Sequence, residues 1–310
     1  MTTATGIFEA QRGHLLGIAY RMLGEMAAAE DVVQEAWIRW QRADTSAIKD
    51  VRAWLSTVTV RLSLDALRAV RARRESYVGP WLPEPILPDD LRALAADGPA
   101  ERAELASDLS LALLHVLERL SPEERAAFIL HDAFDCDYPQ IAATLGKSEV
   151  ACRKLVSRAR ERVRADRPRF RVSDQQHRAL MERFAQAAAT QNANQLAELL
   201  APDVVFYSDG GGRVLAALRP VRGADKVSRL MTGLVRKSRQ HGAPGFTALD
   251  INGRAGLVLT LDGAILSTLS LETDGTRITA LYVMRNPDKL GRVAAAISRP
   301  PPGSSPSARQ

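Results

Sequence analysis

The sequence predicts a multidomain protein with two all-α domains, the second carrying a helix-turn-helix, followed by an α+β domain with a curved antiparallel sheet. Its 310 residues suit about two domains of ~150 residues each, a helical half and an α+β half. Up to about residue 164 apolar side chains recur at three- and four-residue spacing. After residue 171 short β-rich runs are joined by Asp262-Gly263 and Asp274-Gly275, which are hairpin turn signals. Five prolines between residues 75 and 107 divide the helical half in two.

Composition sets the class. The chain is 46% hydrophobic and 25% charged, the balance of an ordinary globular protein. No run of about eighteen apolar residues occurs, and the N-terminus has neither a basic n-region nor an apolar h-region. A cytoplasmic protein that meets no membrane is expected. Cys136 and Cys152 are too few and too far apart for a disulfide framework or a zinc site, and read as reduced packing residues. No metal or cofactor is expected. The net charge of +6 is unevenly spread. Residues 52–74 hold six basic side chains and one acid, residues 84–137 four and thirteen, and residues 147–169 nine and three. Two basic islands flanking an acidic stretch would touch a polyanion at two separated points; two solvated helix faces would give the same count.

Residues 1–74 read as the first helical domain. Within them, Asp31 and Glu35 are four residues apart on an acidic helix and project together. Residues 51–74 place Trp54, Leu55, Val58 and Leu62 on a core stripe, with Arg61 and Arg68 sharing another face. Residues 75–107 read as a Pro-rich linker. Residues 108–170 form the second domain, where Ser121-Pro122-Glu123-Glu124 is a capped helix start. Asp137 and Gln140 cap the next helix, Gly146 supplies its turn, and Ser148 caps a final helix. At ~100° per residue, Cys152, Leu155, Val156, Ala159 and Val163 fall on one arc. Arg153, Lys154, Ser157, Arg160 and Arg164 oppose them, with Arg158 at the edge. A recognition helix needs that division, one face held and one reaching DNA. In residues 171–298 helices are expected over 175–200 and 224–239, and strands over 204–208, 256–261, 264–271 and 277–284. Residues 299–310 read as a disordered tail.

The order Asp31-Val32-Val33-Gln34-Glu35-Ala36-Trp37, Arg52-Ala53-Trp54-Leu55, Asp65-Ala66-Leu67-Arg68, then Leu120-Ser121-Pro122-Glu123-Glu124-Arg125 and the helix-turn-helix resembles regions two and four of bacterial extracytoplasmic-function RNA polymerase sigma factors. Trp81-Leu82-Pro83-Glu84-Pro85, Asp209-Gly210-Gly211-Gly212-Arg213 and Asn286-Pro287-Asp288-Lys289-Leu290 resemble the markers of the sigma-J type, which carries a SnoaL-like (NTF2-like) cone as a C-terminal extension. The resemblance implies that Asp31, Gln34, Glu35 and Ile38 bind core RNA polymerase, whose β′ coiled coil and β flap are the expected partners. It implies that Lys49, Trp54, Arg61, Arg68 and Arg71 engage the minus-ten element of promoter DNA, and that Ser148, Arg153, Lys154, Ser157 and Arg158 read the minus-thirty-five element. Arg61 stands where many such factors carry asparagine. It implies further that Trp81, Leu82, Pro83, Asp209, Gly210, Gly211, Gly212, Arg213, Asn286, Pro287 and Asp288 make intramolecular regulatory contacts, restraining the factor from within. About thirty extended linker residues at ~3.3 Å each would span two promoter elements.

Folds of the SnoaL type also host enzymes, so fold alone does not assign function. Proton transfer needs a carboxylate or histidine in an apolar pocket. Asp209 lies in a Gly-rich turn, and His177 and His241 lie in polar sequence surroundings; none of these, nor the further candidate Asp225, is expected to be catalytic. A conventional helix-turn-helix regulator, and a DNA-localised enzyme or sensor holding a small ligand in the SnoaL-like cavity, remain as alternatives.

Overall fold

The computed structural model describes residues 4–74, 77–94, 109–166 and 172–298, without the side chains of residues 70–74 and 166. The expected tail, residues 299–310, lies outside the described residues.

The first domain is built from α1 (Ala4–Leu23), α2 (Met26–Arg42) and α3 (Val51–Arg74), with a short 3-10 turn at Thr45–Ala47. Residues 15–23 of α1 are buried on every side, as expected of a helix at the centre of a bundle. Residues 77–87 then run extended, and α4 (Pro88–Leu94) packs Leu91 and Leu94 into the same core. The expected linker is therefore not an open tether where it is described. Its prolines alternate with Leu82, Ile86 and Leu87, all buried, and this apolar edge pins the strand down.

The second domain comprises α5 (Leu111–Leu117), α6 (Pro122–Phe128) running into a π-turn at Ile129–Ala133, α7 (Tyr138–Leu145) and α8 (Glu149–Asp166). The caps form as their chemistry dictates. Ser121 with Glu124, and Asp137 with Gln140, make reciprocal capping boxes. Gly146 ends α7 in the left-handed conformation, and Ser148 accepts from the Ala151 N–H at 3.3 Å to start α8.

The third domain holds α9 (Asp174–Ala189), α10 (Ala193–Leu199), β1 (Leu200–Asp209), β2 (Val221–Arg222), α11 (Ala224–His241), β3 (Pro244–Ile251), β4 (Arg254–Leu261), β5 (Ala264–Thr273), β6 (Ile278–Met284) and α12 (Gly291–Ile297). Its sheet runs β2-β1-β6-β5-β4-β3. The expected all-antiparallel sheet is corrected, since β1 and β6 pair in parallel and only the other neighbours are antiparallel. The intervening α11 and the β3–β5 meander supply the long connection that parallel pairing requires.

Strand alternation buries both faces of this sheet. Phe206, Leu257, Leu269, Leu271, Leu281 and Val283 face α9, α10 and α11. Val258, Tyr282 and Met284 face the other way and form a separate core with Leu82, Leu87, Leu111, Leu290 and Val293. The sheet is thus covered on one side by its own helices and on the other by residues 77–87, α5 and α12. Among the described residues no helix is long and apolar enough to cross a membrane.

Candidate functional site

On α2, Ala29, Val32, Val33, Ala36 and Trp40 are buried, so Asp31 and Gln34 are turned outward and exposed. Glu35 pairs with Arg39 at 3.1 Å on an exposed face, and Ile38 is half-buried beside them. These four form one continuous surface.

On α3, Leu55, Val60, Leu64 and Leu67 are buried, and Trp54 is half-buried with its ring 5.7 Å from that of Trp40. Lys49 is exposed in the loop before α3, while the Arg71 side chain lies outside the described residues. Arg61 and Arg68 do not face solvent alone. Arg61 Nε donates to the Thr144 carbonyl at 3.0 Å and its terminal nitrogen to that of Ala143 at 2.9 Å, so its guanidinium caps the C-terminal end of α7, where cations are favoured. Thr57 and Thr144 hydroxyls meet at 3.1 Å. Arg68 reaches Glu123 at 3.7 Å, and Glu123 also pairs with Lys147 at 3.1 Å. The two helical domains are packed together along the α3 face that sequence assigns to DNA.

On α8, Cys152, Val156, Ala159 and Val163 are buried, and Arg153, Lys154, Ser157 and Arg158 are exposed. The Arg153 guanidinium lies 4.3 Å from the centre of the Tyr138 ring, a cation–π contact that orients it. Arg160, expected on the open face, is instead held by Asp132 at 2.8 Å.

The three sequence markers of the sigma-J resemblance meet in one place. Asp209 is fully buried and accepts four hydrogen bonds: Tyr77 Oη at 2.6 Å, the Leu82 N–H at 2.9 Å, the Gly211 N–H at 2.9 Å and Lys289 Nζ at 3.0 Å. Lys289 also donates to the Leu82 carbonyl at 2.7 Å and lies 4.0 Å from the Trp81 ring centre. Asn286 donates to Tyr77 Oη at 3.1 Å. Tyr77 is pushed above its ordinary pKa by burial and by the Asp209 carboxylate. Gly211 has φ +61 and a Cβ there would lie 2.4 Å from the Asn286 side chain, so this turn requires glycine. Gly210 faces the Val214 carbonyl and Gly212 faces Val78. Leu82 and Pro83 are buried in the docked strand. Pro287 is exposed. Arg213 and Asp288 pair with each other at 3.4 Å within the third domain, both largely exposed.

Sequence reasoning missed much of this clamp. Lys289 and Tyr77 hold Asp209, and Arg292 of α12 reaches Glu30 at 2.7 Å, Asp90 at 3.2 Å and Glu84 at 3.5 Å. Glu84 Oε2 accepts from the Met26 N–H at 2.7 Å, capping α2, and burial raises its pKa. Asn252, in the β3–β4 turn, donates to the Leu109 carbonyl at 2.8 Å and to Tyr20 Oη at 3.2 Å. All three domains are thereby stitched together.

Of the histidines and acids weighed for catalysis, His177 is not at the surface. It is buried on the inner face of α9, its Nε2 lies 3.1 Å from the Leu271 carbonyl, and burial lowers its pKa. Asp225 is exposed and paired with Arg229. His241 is exposed with Nδ1 at 2.8 Å from the Lys237 carbonyl. His177 and Glu272 line one small gap of about 10 Å³, which holds no more than a water molecule.

The Sigma-70 region 2 family profile matches residues 7–74 and the Sigma-70 region 4 profile residues 110–163. The chain is 42% identical over 295 residues to the ECF RNA polymerase sigma factor SigJ of Mycobacterium tuberculosis, covering 91% of each. It is 33% identical over 292 residues to the probable ECF RNA polymerase sigma factor SigI of the same species, covering 94% of this chain and 96% of that protein. The crystal structure of M. tuberculosis SigJ superposes with a TM-score of 0.72 at 38% identity, over 92% of this chain and 98% of that one.

Proposed function

The chain belongs to the extracytoplasmic-function family of RNA polymerase sigma factors, and we propose that its C-terminal domain restrains that activity from within by holding both DNA-reading domains closed. As a sigma factor it binds core RNA polymerase and promoter DNA and directs promoter-specific initiation; it works by binding, not by catalysis. Its place of action is the cytoplasm, where the polymerase is. In the reading favoured here, Asp31, Gln34, Glu35 and Ile38 of α2 meet the β′ coiled coil and the second domain meets the β flap. Lys49, Trp54, Arg68 and Arg71 serve the minus-ten element, while Ser148, Arg153, Lys154, Ser157 and Arg158 serve the minus-thirty-five element.

The observation that carries the restraint is Arg61. One guanidinium cannot cap α7 through the Ala143 and Thr144 carbonyls and also lie along DNA with the two domains spread over separate promoter elements. Opening is therefore a step between the free factor and the initiating complex, a population shift driven by polymerase and promoter. The third domain biases that shift because Asp209, Lys289 and Arg292 fasten residues 77–90 and α2 at once.

The test is reconstituted transcription with purified core polymerase and full-length protein. Promoter-specific starts are expected, with more transcript at limiting factor from a variant whose clamp is weakened. A weakened clamp that opens the free protein yet leaves transcription unchanged overturns the restraint. Undiminished promoter use by Arg153→Ala would overturn the role given to α8.

A further inference from the structure

The third domain carries a cavity of about 300 Å³ between the inner sheet face and α9 and α11, at the small end of ordinary ligand pockets. Phe184, Met231, Leu234, Leu257, Leu269 and Val283 form its walls, and no aspartate or glutamate lines it. Its titratable side chains are all basic: Arg285, with Lys237 and His241 on the last turns of α11. Arg285 is half-buried and pairs with no acid among the described residues; its guanidinium donates to the Leu215 carbonyl. Burial alone displaces its pKa, downward. A guanidinium held among apolar side chains without a counter-charge is a site for a bidentate carboxylate.

In the loop of residues 210–220, Leu215 lines the cavity and is nonetheless 75% exposed, and Leu218, beside Gly79, is 65% exposed. Apolar side chains left in water at a pocket rim mark a surface awaiting a partner. The opposite side of this loop meets the docked strand. A Cβ at Gly212 would lie 3.3 Å from Val78, and one at Gly79 3.6 Å from Leu218. The Arg285 amide donates at 2.7 Å to the carbonyl of Asp209, the centre of the clamp. One residue therefore touches the cavity, this loop and the clamp.

We propose that this cavity binds an amphipathic carboxylate, its apolar body against the inner sheet face and its carboxylate on Arg285, and that binding draws Arg285 from Leu215 and loosens the docking of residues 77–87. The ligand is an apolar monocarboxylic acid. A neutral or cationic amphiphile of the same chain length fills the same walls but leaves the guanidinium uncompensated. The release half of the inference rests on the restraint proposed above; the binding half does not.

The experiment uses the full-length protein with decanoate, decanol and decyltrimethylammonium, read by calorimetry and by amide hydrogen exchange at Leu82 and Glu84, whose N–H groups hold the docked strand to Asp209 and Gly24. Decanoate should bind about 10- to 100-fold more tightly than decanol, the value of charge-assisted hydrogen bonds. Arg285→Gln should erase that preference while leaving decanol affinity unchanged. In wild type, decanoate should speed exchange at Leu82 and Glu84, and unliganded Arg285→Gln should already exchange faster because its tether to Leu215 is gone. Equal affinity for decanoate and decanol, or a preference that survives Arg285→Gln, overturns the carboxylate site. Decanoate binding with Leu82 and Glu84 exchange unchanged overturns the coupling. Neither failure touches promoter-specific initiation by the unliganded factor, which is measured separately.

Discussion

Asp209→Asn is the sharpest perturbation of the closed state because it keeps shape and removes only charge and acceptor capacity. Oδ1 receives Tyr77 Oη and the Gly211 N–H, and Oδ2 receives the Leu82 N–H and Lys289 Nζ. An amide NH2 group in the Oδ2 position faces the Leu82 N–H and Lys289 Nζ and loses both bonds, whereas in the Oδ1 position it donates to the Tyr77 hydroxyl and only the Gly211 N–H loses its acceptor. Lys289, only 5% exposed, loses its nearest anion. At 3.0 Å and an effective dielectric of about 20 that attraction is about 5 kcal/mol, and removing one partner of a buried pair costs about 3–5 kcal/mol. Undocking residues 77–87 lets Lys289 rehydrate, so the penalty falls on the closed state. A net shift of about 3 kcal/mol changes the closed-to-open ratio about a hundredfold. Small-angle scattering should show larger dimensions for the free variant, and spin labels on α3 and α8 should move apart. Transcription at limiting factor should rise. Wild-type dimensions and label distances in a folded Asp209→Asn protein would refute the reasoning. Arg213→Ala is the matched control, since its pair with Asp288 is exposed and such pairs contribute little.

Three further outcomes follow from the same geometry. Arg61→Ala removes two charge-assisted bonds to α7 and should weaken the α3–α7 contact by about 1–3 kcal/mol, read as a broader spin-label distance distribution; an unchanged distribution would contradict the capping role. Gly24 has φ +72, and a Cβ there would lie 2.4 Å from Trp81, so Gly24→Ala should cost at least ~1 kcal/mol and accelerate hydrogen exchange at Glu84 about fivefold or more, whereas wild-type exchange would show the approach to be loose. His14 is held neutral by burial and by the nearby Arg52 and Arg21 guanidinia, its pKa lowered to about 4. The folded protein then binds fewer protons than the unfolded chain between the two pKa values, so stability falls as pH drops from 6.5 towards about 4, by up to about 3 kcal/mol. Urea midpoints of wild type and His14→Gln should diverge across that window, and parallel curves would exclude it.

Elements fixed by local chemistry were legible in the chain. Ser121, Asp137 and Gly146 place helix ends through their own backbone hydrogen bonds, and the arc from Cys152 to Val163 follows from helical period alone. The short strand β2 and the strand β3 were missed. Pro244 and Gly245 open β3 and suppress its strand signal, although Asn252-Gly253, with φ of 52 and 77, is a hairpin turn that would have revealed it. The parallel pairing of β1 with β6 depends on contacts some seventy residues apart, as in Phe206 opposite Leu281, and no local pattern encodes it. His177 misled because Gln175, Gln176 and Arg178 surround it in sequence, yet its spacing from Leu180 and Met181 already put it on their face. Residues 75–107 read as a Pro-rich linker because proline counts against regular structure, while Leu82, Ile86, Leu87 and Leu91, all buried, carry the contrary signal. Lys289 was missed because a lysine is ordinarily a surface residue; only the fold shows that it lies beneath Trp81.

The double-sided sheet also bears on synthesis. Val116 and Leu117 belong to the first core, whereas Leu111 and Ala112 of the same helix lie with Leu82 and Leu87 in the core completed by the outer face of β4 and β6 and by α12. That cover is translated ~170 residues later, on the order of ten to thirty seconds at ordinary elongation rates. Throughout that interval the nascent N-terminal half carries a bare apolar strip and no internal brake. The ribosome-bound chain is thus the form most exposed to chaperones and to premature capture by polymerase.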